Sequence, residues 1–437
     1  MSKSTSDVPP SAHLKRTRVR LITVFFMVYI LVSGGSFGIE DMVSSAGPGL
    51  TLLLLLLLPL VWSLPMALVA SELNSAIPGE GGLYVWTRRA LGDFWGFQTA
   101  WWWSLSIFVD SSVYVVLAVG YLQNALGFDQ LTFYLICWTI IASFACVNIL
   151  GVKFVAIGST LFSILILAPF VVLIVVGFAQ WQFNPLTPFT VPGAPLFGTG
   201  GVFAVGLAIG VWMYSGFESM STLSGEIRNP QKVIPRALML VIPFVVVMYV
   251  LPTVASLAGY GHWESFAVEA GDGSVSFVEI GRALGGSALG AAMLASALLG
   301  NLALYLDYLA SGARPLFAIA ADGLFPKSVA RISNRYGTPV GAIILMAIIN
   351  AVLVIGPFQN LVVIDVILFA SAYVLIFVAA VRLRIKEPEL KRPFRVPLGT
   401  AGMIAMVIPP ILVVLFTIYV SAIDRSTVLF DFDGLQL

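Results

Sequence analysis

The sequence predicts an all-α polytopic membrane protein of about eleven spans, built as a five-plus-five inverted-repeat bundle with its first and sixth helices broken. Three observations carry that expectation. Of 437 residues, 59% are hydrophobic and only 10% charged, a balance that a lipid-solvated chain needs and a soluble domain does not. The apolar residues fall into eleven stretches long enough to cross a bilayer, and the basic residues sort to one side of them. Two of these stretches, five apart, are interrupted at mid-span by small residues followed by an acid.

Residues 1–18 are polar, with Pro9, Pro10 and several serines, and read as a disordered cytoplasmic tail. They lack the short apolar run and small-residue cleavage site of a signal peptide. Spans are expected near 19–46, 48–73, 94–122, 130–150, 153–180, 198–224, 234–260, 281–312, 338–356, 361–382 and 400–422. Pro48 starts the second span and Pro65 falls within it, where a proline kinks a helix. The chain then divides into the tail, a first repeat over 19–180, a second over 198–382, and an additional span with a short tail over 400–437.

With the tail inside, all of the 23 Lys and Arg except Arg282 and Arg425 fall on the cytoplasmic side. That is the positive-inside rule, and it places the amino terminus in the cytoplasm; the membrane expected is the cell (inner) membrane. The loop near 260–280 is acidic instead, with Glu264, Glu269, Asp272 and Glu279. A net charge of +1 offers no general attraction to nucleic acid. Cys137 and Cys146 share one apolar stretch, and His13 and His262 lie in the tail and a loop. No disulfide framework, metal site, cofactor or intramembrane histidine relay is indicated. The partners expected are a small solute, protons and the lipid bilayer.

The first break is Ser33-Gly34-Gly35-Ser36-Phe37-Gly38, followed by Ile39, Glu40 and Asp41. About 15 residues precede Gly34 in the span, which puts it roughly 22 Å along the helix and near the middle of a ~30 Å hydrocarbon layer. Each glycine costs about 1 kcal/mol relative to alanine in a helix. An unwound turn there exposes N–H and C=O groups that must face a ligand, an ion or water. Helix packing would also explain the glycines, but it leaves Glu40 unexplained. Glu40 and Asp41 cannot both face the bundle, since helix neighbours are about 100° apart; Glu40, nearer the break, is the candidate.

The sixth span repeats the pattern in Trp212-Met213-Tyr214-Ser215-Gly216-Phe217-Glu218-Ser219. Breaks at matching positions of two five-span halves point to an inverted-repeat transporter. There, half-helix N-termini face an anionic group and freed carbonyls take a cation or ammonium. Spans one to five run inside-first and six to ten outside-first. Further charges lie within spans: Asp110 after Trp101–Trp103, Asp307 beside Tyr308 and Tyr305, Asp365 near a span end, and Lys153 at the start of the fifth. Asp110 suits either an amine or a hydrogen bond from Ser106 or Ser111. Lys153 either couples to transport or extends its ammonium to the surface. The tryptophan run reads as packing or an interface anchor. Glu72, Glu80 and Glu226 sit near helix ends, where pairing with Arg88, Arg89 or Arg228 is expected.

Several of these motifs resemble the amino acid–polyamine–organocation permeases, over nearly the whole chain. The segment from Ser33 to Tyr121 carries Gly34-Gly35-Ser36-Phe37-Gly38-Ile39-Glu40, Trp62-Ser63-Leu64-Pro65 and Pro78-Gly79-Glu80-Gly81-Gly82. It is most similar to the bacterial and plant polyamine and amino-acid permeases. Gly225-Glu226 with Asn229-Pro230, and Ala321-Asp322-Gly323-Leu324-Phe325-Pro326 with Tyr336-Gly337-Thr338-Pro339, resemble the signatures after the sixth and eighth helices. The resemblance implies that the amides of Ser33 to Gly38 bind a substrate carboxylate. It further implies that Trp212 and Tyr308 are aromatic gates, that Tyr214, Ser215 and Gly216 line the second break, and that Glu218 responds to protons. Lys153 matches a lysine that stands at the sodium position of sodium-driven relatives, whereas the plant polyamine carriers are uncharged there. Family members carry twelve spans; eleven are legible here.

The function expected is proton-coupled symport of amino acids or related amines, polyamines and cationic amino acids foremost, by alternating access. No nucleophile–base pair suggests an enzyme. A channel or a solute-sensing receptor without coupled flux stays open as the alternative.

Overall fold

The computed structural model describes residues 14–197, 201–267, 275–355 and 359–423. It is all-helical among those residues, without a strand; the only ladder contacts are isolated bridges at Thr17–Ile227 and Phe266–Val275. Seven helices are long and apolar enough to cross a membrane, and shorter apolar helices at Leu21–Val32, Val202–Met213, Val340–Leu353 and Thr400–Phe416 supply the other four expected spans. The chain is an integral membrane protein.

Both predicted breaks are present. The first span runs Leu21–Val32, unwinds, and resumes as Ile39–Ala46 from a left-handed Gly38 with φ 104°. The sixth runs Val202–Met213, unwinds through Tyr214 to Glu218, and resumes over Ser219–Glu226 as a 3₁₀ helix. Its composition explains the tighter winding, because short hydroxyls compete for backbone carbonyls three residues back. Thr222 Oγ1 donates to Ser219 O at 2.8 Å and Ser224 Oγ to Ser221 O at 2.6 Å, while Ser221 Oγ donates to Glu218 O.

The second span, Pro48–Ala76, is longer than expected and carries a π-helical turn over Pro59–Ser63. A proline at each side of that turn, Pro59 and Pro65, removes helix donors and allows the extra residue. The eighth span, Phe277–Ala321, has 45 residues and kinks at Gly286; it starts from a capping box between Ser276 and Glu279. Its last turns, from Arg314 to Ala320, are buried by protein. In the bundle the eighth span (Phe277–Ala321) packs on the third (Asp93–Leu126) and fifth (Val152–Ala179). The seventh (Pro230–Gly259) packs on the second and fifth, and the tenth (Gln359–Lys386) on the third.

One end of the bundle gathers the basic residues. Residues 1–13 of the expected tail, and the carboxyl-terminal 424–437, lie outside the described residues. Leu14, the first described residue, is buried. Lys15 N donates to Gly337 O at 3.0 Å, Thr17 N to Glu226 O at 2.6 Å, and Arg228 N to Thr17 O at 3.0 Å. A short amphipathic helix at Leu83–Leu91, too short to cross a bilayer and not anticipated, lies at the same end. Its Arg88 pairs with Asp93 and Asp322, and its Arg89 grips Glu387 with Nη2–Oε2 at 2.6 Å. Arg89 beside Glu387 holds that carboxyl below the usual carboxylate range.

Two of the expected partners, Arg88 and Arg89, are therefore taken. Glu72 instead accepts from Arg384 Nε at 2.7 Å and Val396 N at 2.8 Å, with Arg392 Nε at 3.3 Å. Glu226 accepts from Arg314 Nε at 2.7 Å. Both clusters are buried, and both join segments far apart in sequence.

Candidate functional site

The two breaks meet at the centre of the bundle. A Cβ on Gly216, whose φ is 103°, would stand 2.1 Å from Leu31 O, the last turn before the first break. On the other side Gly300 of the eighth span lies so close to Gly34 O that a Cβ there would stand 2.0 Å away. Only residues without side chains allow these backbones to touch.

Hydroxyls on neighbouring spans satisfy the carbonyls that the breaks leave over. Tyr308 OH donates to Leu31 O at 3.1 Å. Tyr249 OH lies 3.3 Å from Val32 O and 2.9 Å from Met213 O, bridging the two breaks from the seventh span. Ser63 Oγ, on the π-helical turn, donates to Tyr214 O at 3.3 Å, and its neighbour Trp62 Nε1 donates to Ser215 Oγ at 3.1 Å. Tyr214 OH donates to Leu55 O at 2.8 Å and Ser36 Oγ to Met248 O at 2.5 Å. Ser33 Oγ closes its own turn onto Gly35 O at 2.7 Å.

The amides behave differently. Gly38 N donates to Glu40 Oε2 at 2.8 Å, but among the described residues the N–H groups of Gly34, Gly35, Ser36 and Phe37 donate to no protein atom. Four successive amides without a protein acceptor suit an anionic group. Phe37 is half-buried and meets Phe170 and Phe277 edge-on at 5.1 and 6.2 Å. Trp212 is 41% exposed, with its ring against Gly38.

The acids divide by what holds them. Glu40 is fully buried, but its carboxylate is committed to backbone: Oε1 accepts from Phe277 N at 3.0 Å and Oε2 from Gly38. It caps its own half-helix and ties it to the start of the eighth span. Glu218 is 1% exposed and accepts three side-chain donors: Trp103 Nε1 at 3.1 Å, Ser219 Oγ at 3.1 Å, and Tyr373 OH. Tyr373 OH in turn accepts from Gly216 N at 3.3 Å, and Trp62 stacks on its ring at 5.5 Å. Glu218 thus links the third, sixth and tenth spans at the second break. Asp110 is half-buried and one turn before Tyr114, which stacks on Tyr308 at 5.5 Å. That spacing puts the acid on the helix face that meets Tyr308 of the eighth span.

Lys153 is not brought to either break. It is exposed at the first turn of the fifth span, and no hydrogen bond or ion pair holds it among the described residues. Tyr249, Tyr373, Trp62 and Trp103 escape sequence reasoning, because an aromatic residue within an apolar span carries no local sign of what its polar edge will meet. Trp103 did stand in a conspicuous run, and its burial fits the packing expected of that run.

The profile of the amino acid permease family matches residues 20–429. A probable polyamine transporter of Arabidopsis thaliana is 32% identical over 427 residues, covering 96% of this chain and 83% of its own. Polyamine transporter PUT1 of Oryza sativa subsp. japonica is 32% identical over 423 residues, covering 94% and 75%. Polyamine transporter RMV1 of Arabidopsis thaliana is 32% identical over 417 residues, covering 93% and 82%. With two broken helices meeting across the bundle and a family match over nearly its full length, the chain is a membrane transporter, not an enzyme, and belongs to the amino acid permease family.

Proposed function

We propose that this protein is a proton-coupled secondary transporter of organic amines, working by alternating access, with substrate held where the first and sixth spans unwind. The observation that carries the reading is the seam itself: two broken helices in backbone contact at Gly216 and Leu31, with unbonded amides on one side and buried acids on the other. Residues 19–180 and 198–382 form the two inverted repeats, with 400–437 an added span. Grouping of the basic residues at one end supports a cytoplasmic amino terminus in the cell membrane.

Polyamines and cationic amino acids are the favoured substrates. Asp110 and Glu218 supply negative charge for ammonium groups, and the similar plant proteins carry the name of polyamine transporters. A second reading has a specific observation behind it. The amides of Gly34 to Phe37 suit a carboxylate, which a polyamine lacks and an amino acid has. Competition for labelled uptake by spermidine, arginine and alanine separates the two. Trp212, Phe37 and Tyr308 serve as the aromatic closures of the pocket in either case. The exposure of Lys153 favours a surface role for its ammonium, leaving coupling to Glu218.

Glu218 can work as a switch because two of its three donors are hydroxyls, which can also accept. Ionised, it accepts from all three; protonated, it donates to Tyr373 or Ser219, and the tie through Tyr373 to Gly216 changes. Glu218→Gln fixes the neutral arrangement. In proteoliposomes this variant is expected to keep substrate exchange and lose the pH dependence of uptake. A Gln variant with the parent's full pH profile would show that the proton is carried elsewhere.

A further inference from the structure

Glu40 and Glu218 have both carboxylate oxygens engaged, and Asp307 does not. Asp307 lies in the eighth span and is completely buried. Its Oδ1 is 2.6 Å from Ser159 Oγ of the fifth span, and its Oδ2 has no partner among the described residues. Ser159 Oγ is also 2.8 Å from Val155 O. A serine hydroxyl carries one hydrogen, and a carbonyl can only accept. If that hydrogen goes to Val155 O, the 2.6 Å contact needs its hydrogen from Asp307. If it goes to an ionised Asp307 instead, a buried carboxylate is left with one hydrogen bond, one bare oxygen and no cation, the costliest arrangement available in this medium.

We propose that Asp307 is a second proton-carrying group of the transport cycle, neutral in this conformation and donating to Ser159, which releases its proton when the fifth and eighth spans part. The proposal rests on the proton-coupled reading above. In the release step the Asp307 O–H bond breaks and the proton passes to water entering the seam; nothing else is made or broken.

The neighbouring elements offer the carboxylate no fixed counter-charge. The fifth span carries Lys153 alone, exposed at its first turn, and Val340–Leu353 of the ninth carries no ionisable residue. The fourth has Tyr134, Cys137 and Cys146, and the first half of the first span has Tyr29. On the third are Asp110 and Tyr114, the latter stacked on Tyr308. At the sixth, Glu218 is tied to Tyr373 and Glu226 to Arg314. Arg88 and Arg89 of the short helix sit at the basic end, and the seventh span meets the eighth at its far end, where Gly259 faces Leu284.

Position gives the proton its leverage. Asp307 holds the fifth span while the next residue, Tyr308, holds Leu31 at the first break. An ionised Asp307 demands water, so proton loss loosens the contact of the fifth and eighth spans, one residue from the bond by which Tyr308 holds the first break. Protonation is thereby linked to the conformation of the substrate site.

Two readouts test this. Infrared difference spectra between the parent and Asp307→Asn are expected to show a protonated-carboxyl band at neutral pH; its absence overturns the assignment whatever transport does. In proteoliposomes Asp307→Asn, whose amide can still donate to Ser159, is expected to keep counterflow and lose about tenfold in accumulation driven by a pH gradient. Parental accumulation overturns the coupling role. Ser159→Ala removes the acceptor of the Asp307 proton, so the pH of half-maximal uptake should move down. A move upward shows that Ser159 had been the donor to a carboxylate, and refutes the proposal. A parent protein that accumulates nothing under the gradient removes the proton-coupled reading and the release step with it, whereas a missing band removes Asp307 alone.

Discussion

Gly216→Ala is expected to abolish uptake while the protein still inserts and keeps its helical content. Two costs add at that position. A left-handed backbone costs an ordinary residue about 1–2 kcal/mol, and the new Cβ would lie 2.1 Å from Leu31 O. The obstacle is backbone, so no side-chain rotation relieves it, and the two breaks must separate. Their separation also stretches the bond from Gly216 N to Tyr373, and so disturbs Glu218. Gly323→Ala is the matched control. Its φ is 78° and nothing lies within 4 Å of the added Cβ, so it carries the strain without the clash. Initial rates of labelled uptake should fall at least about tenfold for Gly216→Ala and stay near the parent's for Gly323→Ala. Parental uptake in Gly216→Ala would mean that contact between the breaks is incidental.

The other large effect concerns folding. Glu72→Ala leaves Arg384 and Arg392 buried at the basic end without the carboxylate that Arg384 holds at 2.7 Å. Removing one partner of a buried ion pair costs about 3–5 kcal/mol, because the charge left behind keeps its desolvation penalty. Val396 N loses its acceptor as well. Thermal unfolding in detergent should therefore show a marked fall in melting temperature. Glu387→Ala, which breaks the more exposed pair with Arg89, should move it little, since surface pairs contribute about 0–1 kcal/mol. Equal melting of Glu72→Ala and the parent would show that the cluster does not hold the second span to the tenth.

What was legible in the sequence was whatever the bilayer itself selects. Hydropathy located the seven long and four shorter apolar helices of the described residues, and glycines beside acids located both breaks, because lipid tolerates neither polar backbone nor charge without a reason. The helix at Leu83–Leu91 was not legible: nine residues with two arginines look like a loop to a search for spans. Nor was the partner of Glu72, since Arg384 stands 312 residues away and nearer arginines satisfied the same charge rule. The site shows the same division. Backbone unwinding at Gly34 and Gly216 could be read locally. The hydroxyl of Tyr249 on Met213 O, the indole of Trp103 on Glu218, and Ser159 on Asp307 arise only when spans pack.

Gradient-driven accumulation tests the central claim most directly. Purified protein in sodium-free proteoliposomes, given labelled spermidine or arginine and an acid-outside pH gradient, should concentrate its substrate above the external level. A protonophore should collapse that excess, and adding sodium should leave it unchanged. Equilibration to the external concentration with no excess, or accumulation only when sodium is present, would contradict the account.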